Sequence, residues 1–108
     1  MKNGPMPREI KDEVERIVEQ FNEKVLKGHG CYYMTRYKGR FLYLDRSDSG
    51  RVGPICRLEY TGSMDKWKFA IYKFSSDSYD SQEWFFPGSD LVDGTVEGAM
   101  RAGLEAYS

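Results

Sequence analysis

Hydrophobic positions along the chain change period twice, and the changes divide it into three stretches. From Pro7 to Gly28 the apolar residues fall at Ile10, Val14, Ile17, Val18, Phe21 and Val25, the 3.6-residue spacing that lines one side of a helix. Lys11, Asp12, Glu13, Glu15, Arg16 and Glu19 cover the remaining surface. Lys24 and Lys27 come late, where the helix dipole favours cations, and Gly28 supplies a stop. The lead MKNGPMP, with one glycine and two prolines, predicts a flexible segment over residues 1–6 and places Pro7 in the first helical turn.

Beyond residue 30 the period shortens to two. Residues 31–46 read as a hairpin turning at Lys38–Gly39, with Phe41 and Tyr43 on one face of its second arm and Leu42 and Leu44 on the other. SDSGRVG, residues 47–53, reads as a polar loop. In residues 54–60, Cys56, Leu58 and Tyr60 alternate with Arg57 and Glu59. Residues 61–65 form a turn, and KWKFAIYKF sets Trp67, Phe69 and Ile71 against Lys66, Lys68, Ala70, Tyr72 and Phe74. Short connections make successive strands antiparallel neighbours, a four-stranded meander over residues 31–74.

Residues 75–83 are polar and read as a loop. WFF at residues 84–86 is extended and stopped by Pro87, either as a fifth strand of three or four residues or as an aromatic plug. Its alternation directs Trp84 and Phe86 towards the helical layer and Phe85 to the surface. Helical spacing then returns in Val92, Val96, Ala99, Met100, Gly103, Leu104 and Tyr107, with Asp93 or Thr95 as N-cap. Gly94, Gly98 and Gly103 each weaken a helix by about 1 kcal/mol. Only Gly103 lies on the apolar stripe, where it would let this helix approach the first helix or the sheet closely.

Two helices with one apolar face each, flanking alternating strands, predict an α+β fold. It is a two-layer sandwich in which an antiparallel sheet of four or five strands carries the N- and C-terminal helices on one face. The whole chain, residues 1–108, fits a single domain, since two cores would each be too small to stand alone. The order of helix, strands and helix resembles, in topology alone, the double-stranded-RNA-binding domain. Asp93 and Glu97 stand where that family carries basic residues, and the extra strand also departs from it.

Charge and chemistry narrow the functional classes. Lysines and arginines number 16 against 17 carboxylates, so no long-range field draws the chain to a polyanion. Cys31 and Cys56 form neither a disulfide framework nor a zinc or redox spacing. His29, the lone histidine, reads as a loop residue. Asp45, Asp48, Asp77 and Asp80 lie in turns without calcium-loop spacing. No catalytic, cofactor-binding or metal-ligating residue is assigned, and no cofactor is expected. The absence of a long apolar run or signal core leads to an expected cytoplasmic location with no membrane partner.

An aromatic share of 15% is the remaining feature, and aromatic side chains anchor binding surfaces as well as cores. The expected interaction surface comprises Tyr33, Tyr37, Phe41, Tyr43, Tyr72, Phe74 and Phe85. It leads to a small non-enzymatic protein-interaction or structural domain that binds a protein partner or self-associates as a homo-oligomer through an aromatic sheet face. The alternatives are single-stranded nucleic-acid binding, using Arg36, Lys38, Arg40, Arg46, Arg51 and Arg57 beside the tyrosines, and a small enzyme or enzyme accessory subunit.

Overall fold

A computed structural model describes residues 5–107. Helix α1 (Arg8–Phe21) buries Val14, Val18 and Phe21, as its apolar stripe requires. It continues through one π-helical turn, Asn22–Leu26, before Gly28 and Gly30, both at positive φ, turn the chain into the sheet. Of the segment expected to be flexible, residues 1–4 lie outside the described residues. Met6 is buried, and its N–H donates to the Gly39 carbonyl at 3.0 Å, which anchors the chain ahead of α1.

The sheet is an antiparallel meander of β1 (Cys31–Lys38), β2 (Phe41–Asp48), β3 (Arg51–Glu59), β4 (Lys68–Lys73) and β5 (Ser78–Asp80), in that spatial order. With five strands it leaves the double-stranded-RNA-binding layout further behind. The first hairpin turns on Gly39–Arg40, and Gly39 has φ 60°, the left-handed geometry that a two-residue type II′ turn demands of its first central residue. Both central residues of the second turn, Ser49 and Gly50, have positive φ, the mark of type I′.

Residues 47–53 are therefore two strand ends and a tight turn rather than a loop, with Ser47 paired to Val52 and Asp48 to Arg51. The backbone ladder continues there after hydrophobic alternation has stopped. Residues 75–83 also differ from expectation. The chain reverses at Phe74–Asp77, with Asp77 at φ 50°, and Ser78–Asp80 returns along β4 as the fifth strand. Trp84–Phe86 form no strand. Trp84 is 47% exposed rather than buried, and its ring and that of Phe86 pack against Phe69 at centroid separations of 6.2 and 5.9 Å.

Helix α2 (Val96–Ala106) is capped by Thr95, whose Oγ1 accepts from Gly98 N–H at 2.9 Å, while Asp93 accepts from Thr95 and fixes the cap. A Cβ on Gly103 would lie 2.5 Å from Tyr33 Oη and 2.6 Å from Ile55 Cγ2, so only glycine permits this approach to the sheet. Both helices cover the face that carries Tyr33, Leu42, Leu44, Cys56, Leu58, Phe69 and Ile71. A β-bulge leaves Ile55 between the pairs Leu44–Cys56 and Asp45–Pro54, and Ile55 and Cys56 are both buried.

Two polar devices join the layers. Arg46 on β2 donates to the Gly103 and Tyr107 carbonyls at the C-terminal end of α2, where a cation complements the helix dipole, and pairs with Asp48. The Asn22 side-chain amide donates to the Tyr33 carbonyl at 3.0 Å and accepts from the Tyr33 N–H at 2.8 Å.

Candidate functional site

Pairing register decides which side chains share the uncovered face of the sheet. Arg36 pairs with Tyr43, Tyr43 with Arg57, and Arg57 with Ala70. One step along, Lys38 pairs with Phe41, Phe41 with Glu59, and Glu59 with Lys68. Paired residues project to the same side, so these two rows form the face opposite the helices. Tyr72 and Tyr79 pair at its β4–β5 border.

The rings form a connected cluster. Tyr43 and Tyr79 meet edge to face at 5.3 Å, Tyr72 and Tyr79 at 5.2 Å, and Phe41 lies 6.4 Å from Tyr43. Two guanidinium groups lie on this cluster. Arg36 sits 4.8 Å from the Tyr43 centroid, and Arg57 sits 4.6 Å from Phe41 and 5.7 Å from Tyr79. Such contacts are worth ~0.5–1 kcal/mol when exposed and more when water is excluded.

The two arginines have different electrostatic settings. Arg36 makes a two-pronged contact with Asp45, Nε to Oδ2 at 2.6 Å and Nη2 to Oδ1 at 3.2 Å. That hydrogen bond raises the Arg36 pKa further still, and it holds the Asp45 carboxylate on the sheet. Arg57 makes no ion pair among the described residues. Burial raises the Tyr79 phenol above its ordinary value, and the Tyr72 phenol is held up at about 12 by its hydrogen bond to Asp77, which already uses its proton.

The seven aromatics expected to form one surface separate into three groups. Tyr33 and Tyr37 belong to the covered face. Tyr33 is 2% exposed and donates to the Met100 carbonyl at 2.7 Å, and Tyr37 lies against α1 and donates to Glu15 at 2.5 Å. Burial pushes both phenols upward, Tyr37 with help from the Glu15 carboxylate. Phe41 and Tyr43 are together on the uncovered face, and Tyr72 lies on the same side but is only 8% exposed, packed edge to face against Tyr79 and Phe74.

Phe74 and Phe85, 65% and 98% exposed, flank a groove of about 400 Å³ between β4 and the end of α2, which Tyr72 also lines. Tyr107 closes one side of it by an edge-to-face contact with Phe74 at 5.5 Å. Tyr79 joins the uncovered face although the sequence placed it in a loop. Its tyrosine between two polar residues in SYD offers too short a pattern to read as a strand.

Other candidate chemistry is dispersed. Asp45 is held by Arg36, Asp48 by Arg46, and Asp77 accepts from Tyr72, while Asp80 lies 3.8 Å from Lys73. Among the described residues no group of three or more histidine, cysteine or carboxylate side chains could hold a metal ion. Cys56 is fully buried and burial pushes its thiol upward, away from the thiolate that nucleophilic chemistry uses. Arg46, one of the cations available for phosphate contacts on sequence grounds, is buried against α2 instead. No helix of the described residues is long and apolar enough to cross a membrane.

The uncovered face thus brings together aromatic rings and two guanidinium groups. No protein-family model matches the chain, and no curated protein or solved structure matches it either.

Proposed function

We propose that this protein is a binding module for another protein, and that the uncovered face of its sheet is the working surface. The observation that carries this reading is the contiguous cluster of Phe41, Tyr43, Tyr72 and Tyr79 with Arg36 and Arg57 lying on its rings. Tyrosine and arginine are the side chains that most often dominate association energies, because each combines large contact area with directed hydrogen bonds. The Arg36–Asp45 contact and the ring contacts fix them before a partner arrives, which lowers the entropic cost of association.

A photoreactive phenylalanine analogue at position 43 tests the reading in the source cell, with a second at the exposed Glu19 on α1 as a control. The expected result is a discrete covalent adduct from position 43 and none from position 19. Equal labelling at both positions, or none at 43, refutes it.

A further inference from the structure

The uncovered face has a charge imbalance that points to the chemistry of its partner. Its two rows carry Arg36, Lys38, Arg57 and Lys68 against Glu59, with Asp45 in the next row of the same face. Both carboxylates are already engaged, Asp45 by Arg36 at 2.6 Å and Glu59 by Arg40 at 3.4 Å. Arg57 is left near the middle with its Cζ 4.6 Å from the Phe41 centroid and 5.7 Å from that of Tyr79, and with no ion pair among the described residues. A guanidinium held over rings with no ion pair has N–H groups left for an acceptor, and the geometry of that fork matches a carboxylate.

Two other occupants fit less well. A second copy packed on this face by a two-fold axis would bring Arg57, Lys38 and Lys68 towards copies of themselves, and like charges at an interface are unfavourable. Single-stranded nucleic acid stacks its bases on open ring faces. Here Arg36 lies over Tyr43 and Arg57 over Phe41, at 4.8 and 4.6 Å, so a base would have to displace a guanidinium to reach either ring.

We infer that the face takes an acidic segment of a protein partner and that Arg57 receives one of its Asp or Glu carboxylates through paired hydrogen bonds. Lys38 and Lys68 flank the segment, and Tyr43 and Tyr79 supply the apolar contact beside the ion pair. This inference rests on the binding-module reading and adds the partner's chemistry to it.

The test is an NMR titration of the isotope-labelled protein at low ionic strength with a random copolymer of glutamate and tyrosine. A lysine–tyrosine copolymer and a twelve-residue oligothymidylate serve as comparators. Expected are shifts of the amides around Tyr43, Arg57 and Tyr72 and of the Arg57 Nε resonance with the acidic copolymer alone. Binding weakens at least tenfold in Arg57→Gln, whose undisturbed amide spectrum outside the face reports an intact fold.

If the acidic copolymer shifts the face but binds Arg57→Gln equally well, the carboxylate assignment is overturned while the binding module stands. Engagement of the face by oligothymidylate with silence from the acidic copolymer overturns the inference in favour of nucleic acid. A dimer in sedimentation that Tyr43→Ala abolishes overturns it in favour of a second copy. Silence of the face towards the acidic copolymer also overturns it, and the binding-module reading falls with it only if position 43 yields no adduct.

Discussion

Replacing Gly103 by alanine opposes two known effects and lets their magnitudes decide the sign. Alanine should stabilise a helix interior by about 1 kcal/mol over glycine. At position 103, however, the added methyl would stand 2.5 Å from Tyr33 Oη and 2.6 Å from Ile55 Cγ2, inside any permitted contact distance. Forcing a methyl into a packed core costs ~1–3 kcal/mol. The nearest atom is also the buried hydroxyl that donates to the Met100 carbonyl at 2.7 Å. Pushing it aside forfeits a hydrogen bond worth ~0.5–1.5 kcal/mol.

The sum is a net destabilisation of about 2 kcal/mol. Urea unfolding followed by far-ultraviolet circular dichroism measures it through the shift in midpoint. Tyr33→Phe supplies the second arm of a double-mutant cycle. It removes the oxygen nearest the new methyl, so Gly103→Ala should cost less in the Tyr33→Phe background than in the parent. Stabilisation by Gly103→Ala, or additive effects in the double variant, would refute the close approach of α2 to β1.

Two further expectations concern stability. Unfolded tyrosines ionise near ~10 and cysteines near ~8.5. In the folded chain Tyr33, Tyr37 and Cys56 are pushed upward chiefly by burial, and Tyr72 to about 12 chiefly by its bond to Asp77. A raised folded value keeps more protons on the native state, so this stabilisation is whole below the unfolded values. It declines as pH climbs towards the folded ones, beginning near ~8.5. Phenolate absorbance should therefore rise late and together with loss of structure, and Asp77→Asn should lower the Tyr72 value. Completion of all tyrosine ionisation near ~10 in a still-folded protein would contradict this. Trp84→Ala should cost about 2 kcal/mol, roughly half the penalty of a fully buried aromatic, because the ring is 47% exposed. A loss twice as large in thermal or urea unfolding would mean that Trp84 is a core residue after all.

The helices and the layer order could be read from the sequence because each rests on a local period. Leu42 and Leu44 alternate with Phe41 and Tyr43, and that alternation alone separates the covered face from the bare one. Tyr33 and Tyr37 were assigned to the wrong face even though the turn position does not decide it: a two-residue turn at Lys38–Gly39 or at Gly39–Arg40 pairs odd-numbered residues of β1 with even-numbered residues of β2, and Tyr37 lies opposite Leu42 on the covered side.

Arg57 depended on something less visible. With Ser49–Gly50 as the turn and an unbroken ladder, Tyr43 would face Cys56. The bulge at Ile55 moves the pairing by one residue and delivers Arg57 to the aromatic side. Tyr79 depended on a reversal at Phe74–Asp77 that leaves Asp77 in the left-handed region, a conformation the composition of SSDS does not announce. The candidate site was therefore half legible. Its rings follow from alternation, while its central cation and its fifth strand follow from irregularities of the backbone.

The amide of Asn22 bears on how the sheet ends. A bare strand border is a template, because its outward N–H and C=O groups can recruit a further strand from any passing chain. At Tyr33 those two groups are already occupied by Asn22, which reproduces the peptide unit a neighbour would supply. At the opposite border β5 is only three residues long. A strand added along the length of β1 must first displace the turn that carries Asn22. The last turn after α1 thus acts as the sheet's terminator. Loosening it would open a route to fibrous growth, while the aromatic face on the other side of the molecule would be left as it was.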